Sequence, residues 1–235
     1  MWSGEVYDYH GECDLVFLDA PALDMTIQIR TTIREDYSFI SSAVLRIKDQ
    51  MIEVGGYGSV IINGVYITDD GVFSGATVGG FPIKVQKSNK KTHTYRIALN
   101  DSNWIELKSF KDLVGVKFNL PDEGVQGSRG LMGSVETGEK LGRDGKTVFA
   151  DVNEFGQEWQ VRPGEDPVLF QAPSDHPGEK CRLPNKTTTA QARRLGESVA
   201  RSDAEQACAH MTLNKEACIR DVMATGDKEI ADAFL

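Results

Sequence analysis

From Trp2 to about Val161 the apolar residues fall in short runs that alternate with polar ones, and glycine, asparagine or aspartate cuts the runs apart. Alternation with period two gives a strand one buried and one wet face, and turn signals about every 8–12 residues mark an antiparallel β domain. The run Val6 to Leu18 alternates and then turns fully apolar at Leu15-Val16-Phe17-Leu18, which predicts one strand passing from an edge into a core. Met25, Ile27 and Ile29 share a face, and Ile40–Lys48, Gln50–Val54 and Ser59–Ile62 follow as further strands. Asn63-Gly64, set between Ile61-Ile62 and Val65-Tyr66-Ile67, is the strongest hairpin signal, because a type I′ turn needs positive φ at both central residues. Asp70-Gly71 marks another turn, and Ile83–Val85, Thr94–Leu99, Trp104–Lys108 and Val114–Leu120 add four strands. The predicted fold is mainly β, an antiparallel two-sheet β-sandwich with a small C-terminal α-helical segment.

Gly124, Gly127, Gly130 and Gly133 make a glycine-spaced loop, read as turn chemistry because a phosphate cradle needs a following helix and a placed lysine. After Trp159-Gln160-Val161 the composition shifts to proline, acid and small polar residues. Three regions follow: a β domain over 1–161, a connector packed on it over 162–188, and a helical cysteine-bearing module over 189–235. Ser202-Asp203-Ala204-Glu205 has the form of a capping box that opens a helix carrying Ala207, Cys208 and Met211. A second helix is predicted from about Lys215 to Thr225, with Gly226 as its terminating residue.

The net charge of −9 excludes a protein built to neutralise phosphates. Its one basic run, with Lys84, Lys87, Lys90 and Lys91, reads as a solvated hairpin tip. No run approaches the roughly 18 consecutive apolar residues of a membrane span. The start lacks a basic leader region and the apolar finish Ile230–Leu235 is abrupt, so a piece of a longer parent with its leader upstream is expected. Four cysteines, Cys13, Cys181, Cys208 and Cys218, permit three pairings, and none lies in a Cys-x-x-Cys pair. Two helices joined by a short turn are able to set Cys208 against Cys218. Asn100-Asp101-Ser102 and Asn185-Lys186-Thr187 are N-glycosylation triplets.

Catalytic patterns are sparse. His10, Glu12 and Asp14 alternate on the first predicted strand and read as a polar edge, while His93, His176 and His210 have no metal-ligand spacing. Neither Gly56-Tyr57-Gly58-Ser59 nor Gly127-Ser128-Arg129-Gly130 forms a nucleophile elbow. Asp69-Asp70 and Asp122-Glu123 read as turn residues.

Three segments together resemble the von Willebrand factor type D family. Trp2-Ser3-Gly4 followed by Tyr7 to Phe17, with Gly11-Glu12-Cys13 inside it, is similar to the family's opening. Gly130-Leu131-Met132-Gly133-Ser134 resembles its Gly-Leu-Cys-Gly-Asn motif, and Phe155-Gly156-Gln157-Glu158-Trp159-Gln160-Val161 resembles its closing Phe-Gly-x-x-Trp-x-Val strand. The likeness runs from Trp2 to Cys181, and the tail around Cys208 and Cys218 is distantly similar to the cysteine-rich helical module that often follows such domains. The resemblance implies a bond from Cys13 to Cys181 and a calcium loop supplying Ser134, Glu136 and Asp144 as donors. No other cofactor is implied. Ser3 stands where the family has aspartate and Ser134 where it has asparagine, which weakens that donor set. Met132 replaces a family cysteine, and the Gly-Asp-Pro-His segment of relatives that cleave themselves is absent.

The family likeness implies a non-enzymatic, secreted or cell-surface interaction and assembly module, serving adhesion, matrix or multimerisation. Its partners would be other extracellular proteins or further copies of itself, with no nucleic acid. The alternative is a glycan- or lipid-binding domain using Trp104, Trp159 and exposed tyrosines as a platform. A hydrolase on the same scaffold is the third reading.

Overall fold

The computed structural model of the 235-residue chain describes residues 1–2, 4–34, 37–67, 75–89, 91–172, 174, 180–184, 199–211 and 215–234. Two compact units result, one of Met1–Ile33 with Ser38–Leu183, the other of Arg34–Tyr37 with Pro184–Leu235. The first unit therefore takes in most of the expected connector, through Leu183.

Eleven strands form two antiparallel sheets among the described residues. One holds β1 (Asp14–Ala20), β2 (Met25–Arg34), β3 (Tyr37–Ile47), β4 (Gln50–Gly55), β5 (Val60–Ile62) and β6 (Val65–Tyr66), in chain order. The other holds β7 (Thr77–Val78), β8 (Phe81–Asn89), β9 (Thr92–Ala98), β10 (Trp104–Phe110) and β11 (Leu113–Asn119), also in chain order. Within each sheet, neighbours in sequence are neighbours in space, with two to five residues between consecutive strands. At Asn63-Gly64 both residues take positive φ, 49° and 83°, and the Asn63 Oδ1 accepts the Met51 N–H at 2.8 Å. That bond ties the β5–β6 turn to β4.

Period two decides what is buried. Leu15, Leu18, Ile27, Leu45, Ile52 and Val54 from the first sheet join Ile83, Tyr95, Ile97, Ile105 and Leu107 from the second in one core. Each such side chain contributes about 1.5–3 kcal/mol by leaving water. Outward positions are polar, as in the cross-strand row of Lys84, Arg96, Glu106 and Lys117. The basic run lies on the β8–β9 hairpin, with Lys90 outside the described residues.

Two expectations about the sandwich give way. The first strand begins at Asp14, and residues 6–12 before it form no strand, Glu12 making only an isolated bridge to Arg182, so His10 and Glu12 do not share a strand with Asp14. The closing strand is replaced by a helix, Val152–Glu158. Asp151 caps it, its carboxylate accepting the Asn153 and Glu154 N–H groups at 2.8 and 2.9 Å. After Val152 no β-branched residue occurs until Val161, so the cap decides the local structure. Only Trp159, Gln160 and Val161 remain to pair with β1. The glycine-spaced loop likewise opens with a short helix, Asp122–Val125.

In the second unit the helices Arg201–Ala207 and Lys215–Thr225 precede a 3-10 segment, Lys228–Phe234. The capping box does not form. The first helix starts at Arg201 after Ala200, and Glu205 is drawn to the Arg201 guanidinium at 2.9 Å instead of reaching back to an amide. Gly226 ends the second helix at φ 68°, its N–H donating to the Val222 carbonyl at 3.0 Å. The helical reading of residues 189–198 lies outside the described residues, as does the turn at Asp70-Gly71.

Candidate functional site

An open sheet edge is a row of backbone donors and acceptors awaiting a partner strand. At one end of the first sheet, β1 is covered. Asp19 and Arg129 exchange backbone hydrogen bonds at 2.7 and 2.8 Å, and the Leu131 N–H donates to the Val16 carbonyl at 3.1 Å. Farther along, the Val16 N–H donates to the Trp159 carbonyl and the Val161 N–H to the Asp14 carbonyl, both at 2.8 Å. A bulge between Val16 and Leu18 lets the strand meet these segments. Gly130, at φ 123°, comes so close that a Cβ there would lie 2.7 Å from the Phe17 carbonyl oxygen.

At the other end, β6 is different. Its two residues pair with Ile62 and Ile61 of β5, and Val65 and Tyr66 are 63% and 68% exposed. The Ile67 N–H donates inward to the Val60 carbonyl at 3.0 Å. Ladder alternation therefore turns the Tyr66 N–H outward. The edge thus presents a backbone donor flanked by apolar side chains. Sequence reading found the hairpin but missed the exposed edge; the signal was the shortness of the run before Thr68-Asp69-Asp70-Gly71.

The calcium candidates occupy two turns. The Ser134 hydroxyl donates to Glu136 Oε2 at 3.0 Å, and Glu136 Oε1 accepts the Gly127 N–H at 3.0 Å. These bonds hold the Glu136 carboxyl below its usual range, the Gly127 bond being the largest cause. Asp144 caps its own turn, accepting the Lys146 and Thr147 N–H groups at 2.9 and 2.8 Å and the Thr147 hydroxyl at 2.7 Å. The Thr147 N–H, then its hydroxyl, lead the causes that bring the Asp144 pKa down to about 2. Ser134 and Glu136 thus meet, while the Asp144 bonds serve a separate turn. No group of three or more His, Cys, Asp or Glu side chains suited to a metal occurs among the described residues, and Ser3 lies outside them.

Both disulfides are present, Cys13–Cys181 and Cys208–Cys218, spanning 168 and 10 residues. Around the first, Glu12 and Arg182 exchange backbone hydrogen bonds at 2.8 and 3.3 Å. The buried Glu12 carboxylate pairs with the Arg182 guanidinium and accepts the Ile33 N–H at 2.9 Å. The Cys181 N–H donates to Gln157 Oε1 at 2.9 Å. The Tyr9 hydroxyl lies 3.8 Å from the Cys13 Sγ, and its ring fills the space a Cβ at Gly156 would need. Burial pushes the Tyr7 and Tyr9 phenols well above their ordinary pKa.

The remaining candidates disperse. His10 Nδ1 accepts the Ser38 N–H at 3.3 Å, Glu12 serves Arg182, and Asp14 binds Arg30 through both oxygens at 2.7 and 2.9 Å. His93 packs on Gly58, and His210 is exposed. Asp122 and Glu123 lie in the first turn of a short helix. His176, Asp69 and Asp70 lie outside the described residues, as does Asn185; Asn100 is exposed in the β9–β10 turn. Trp159 is buried, donating its Nε1–H to the Leu141 carbonyl at 3.1 Å, so it cannot serve a binding platform. Arg143, unremarkable in sequence, stacks 5.0 Å over that ring and binds Asp166 at 2.8 Å, with further bonds to the Glu158 and Gln160 carbonyls. No protein-family model matches the chain, and no curated protein matches it.

Proposed function

We propose that the chain is a non-enzymatic extracellular assembly module of the von Willebrand factor type D kind, which joins another protein chain by strand addition at β6. The exposed edge of Val65 and Tyr66 carries the reading, against a β1 edge that the chain itself covers. Two disulfides favour an oxidising compartment, and among the described residues no helix is long and apolar enough to cross a membrane. The three motifs from Trp2 to Val161 support the family assignment, and the Cys13–Cys181 link is the one that likeness implies. A non-catalytic role is supported by the commitment of Glu12, Asp14, Glu136, Asp144 and Asp166 to pairs and turns.

Self-association is the simplest case, since a strand pairing antiparallel with its own copy closes a two-fold dimer. Light scattering across a concentration series tests it, with Tyr66→Lys as the comparison. The wild type should form a dimer that the variant loses while keeping its unfolding midpoint. A wild type monomeric throughout, whose capture of secreted proteins is the same with and without Tyr66→Lys, would overturn the proposal.

A further inference from the structure

The geometry points to Asn100 as an N-glycan acceptor, an inference that rests on the extracellular reading above. Asn100-Asp101-Ser102 forms the tip of the loop between β9 and β10, and all three residues are exposed. The Asn100 Oδ1 accepts the Ser102 and Asn103 N–H groups at 2.9 and 2.7 Å, so the amide oxygen faces into the loop. With the oxygen so held, the Nδ2 is the amide atom this exposed residue keeps for reaction. The Leu99 N–H donates to the Asn103 carbonyl at 2.9 Å, a local bond that closes the loop. This acceptor shape needs no packed sandwich and is therefore within reach of the nascent chain.

Attachment requires a lipid-linked oligosaccharide diphosphate. The Asn100 Nδ2 attacks the anomeric carbon of the first sugar, the bond from that carbon to the diphosphate oxygen breaks, the lipid diphosphate leaves, and Nδ2 gives up one proton. The placement has a consequence for assembly. Asn119, the last residue of β11, donates its Nδ2–H to the Ser102 carbonyl at 2.9 Å, so the loop is fastened to the end of the edge strand of the five-stranded sheet. A branched, hydrated glycan there hinders strand addition at β11, while β6 lies at an edge of the other sheet.

The test expresses the full chain behind a secretory leader in a eukaryotic host and releases N-glycans enzymatically in ¹⁸O water before peptide mapping. Most chains should carry labelled aspartate at position 100, and the label should vanish from that peptide in Asn100→Gln and in Ser102→Ala. Exported protein with Cys13 joined to Cys181 and an unlabelled Asn100 peptide would overturn the glycan while leaving the extracellular reading intact. Retention in the cell with reduced cysteines would remove both.

Discussion

Asp144 is fully exposed, yet three donors from Lys146 and Thr147 converge on its carboxylate and stabilise the ionised form. Its folded pKa, about 2, lies below the ordinary value of 3.8. The turn's contribution to stability is therefore complete above the ordinary value and fades as pH falls toward about 2. A carbon-detected carboxyl titration should find Asp144 among the last to protonate, with the Lys146 and Thr147 amides shifting at the same midpoint; a midpoint near 4 would contradict the geometry. Gly130 is a second residue with a defined task. Gly130→Ala puts a Cβ against the Phe17 carbonyl at positive φ, and should cost about 3 kcal/mol in urea unfolding. An unchanged midpoint would mean that the 129–132 segment does not press on β1 as described.

At the scale of elements, the two disulfides differ in what they close. Cys13–Cys181 spans 168 residues and Cys208–Cys218 only 10, so chain entropy assigns about 5 kcal/mol to the first and about 2.7 to the second. Replacing Cys13 and Cys181 by serine should therefore lower the stability of the first unit by more than any single core truncation except the largest, read by denaturant unfolding. Strands were legible in the sequence because alternation, as at Ile105–Leu107, reflects a buried face, and Asn63-Gly64 names its own turn; at Met25–Ile29 the polar face is buried too, with Gln28 bonding the Pro167 carbonyl and the Leu169 N–H. The helix at Val152–Glu158 was not, because the family-like motif hid the cap at Asp151. Ser202 and Glu205 matched a capping box, yet a guanidinium one turn away outcompeted the backbone for Glu205. The roles of Arg143 and of the β6 edge depend on contacts and exposure created by residues far along the chain, which no local pattern encodes.

For the whole molecule, the main core is drawn entirely from residues between Cys13 and Cys181. A chain ending at Leu183 should therefore unfold in one cooperative transition, and a broad, uncooperative loss of signal would show that the sandwich needs the residues beyond. What the molecule offers to a partner is the edge at Val65-Tyr66. The most direct measurement is amide hydrogen exchange at Tyr66 as protein concentration rises. Strand addition predicts that its outward N–H exchanges freely in the dilute protein and becomes protected in the assembled one, and that Tyr66→Lys abolishes the protection of its neighbours. Exchange at β6 that is independent of concentration and of secreted partner proteins would contradict the account.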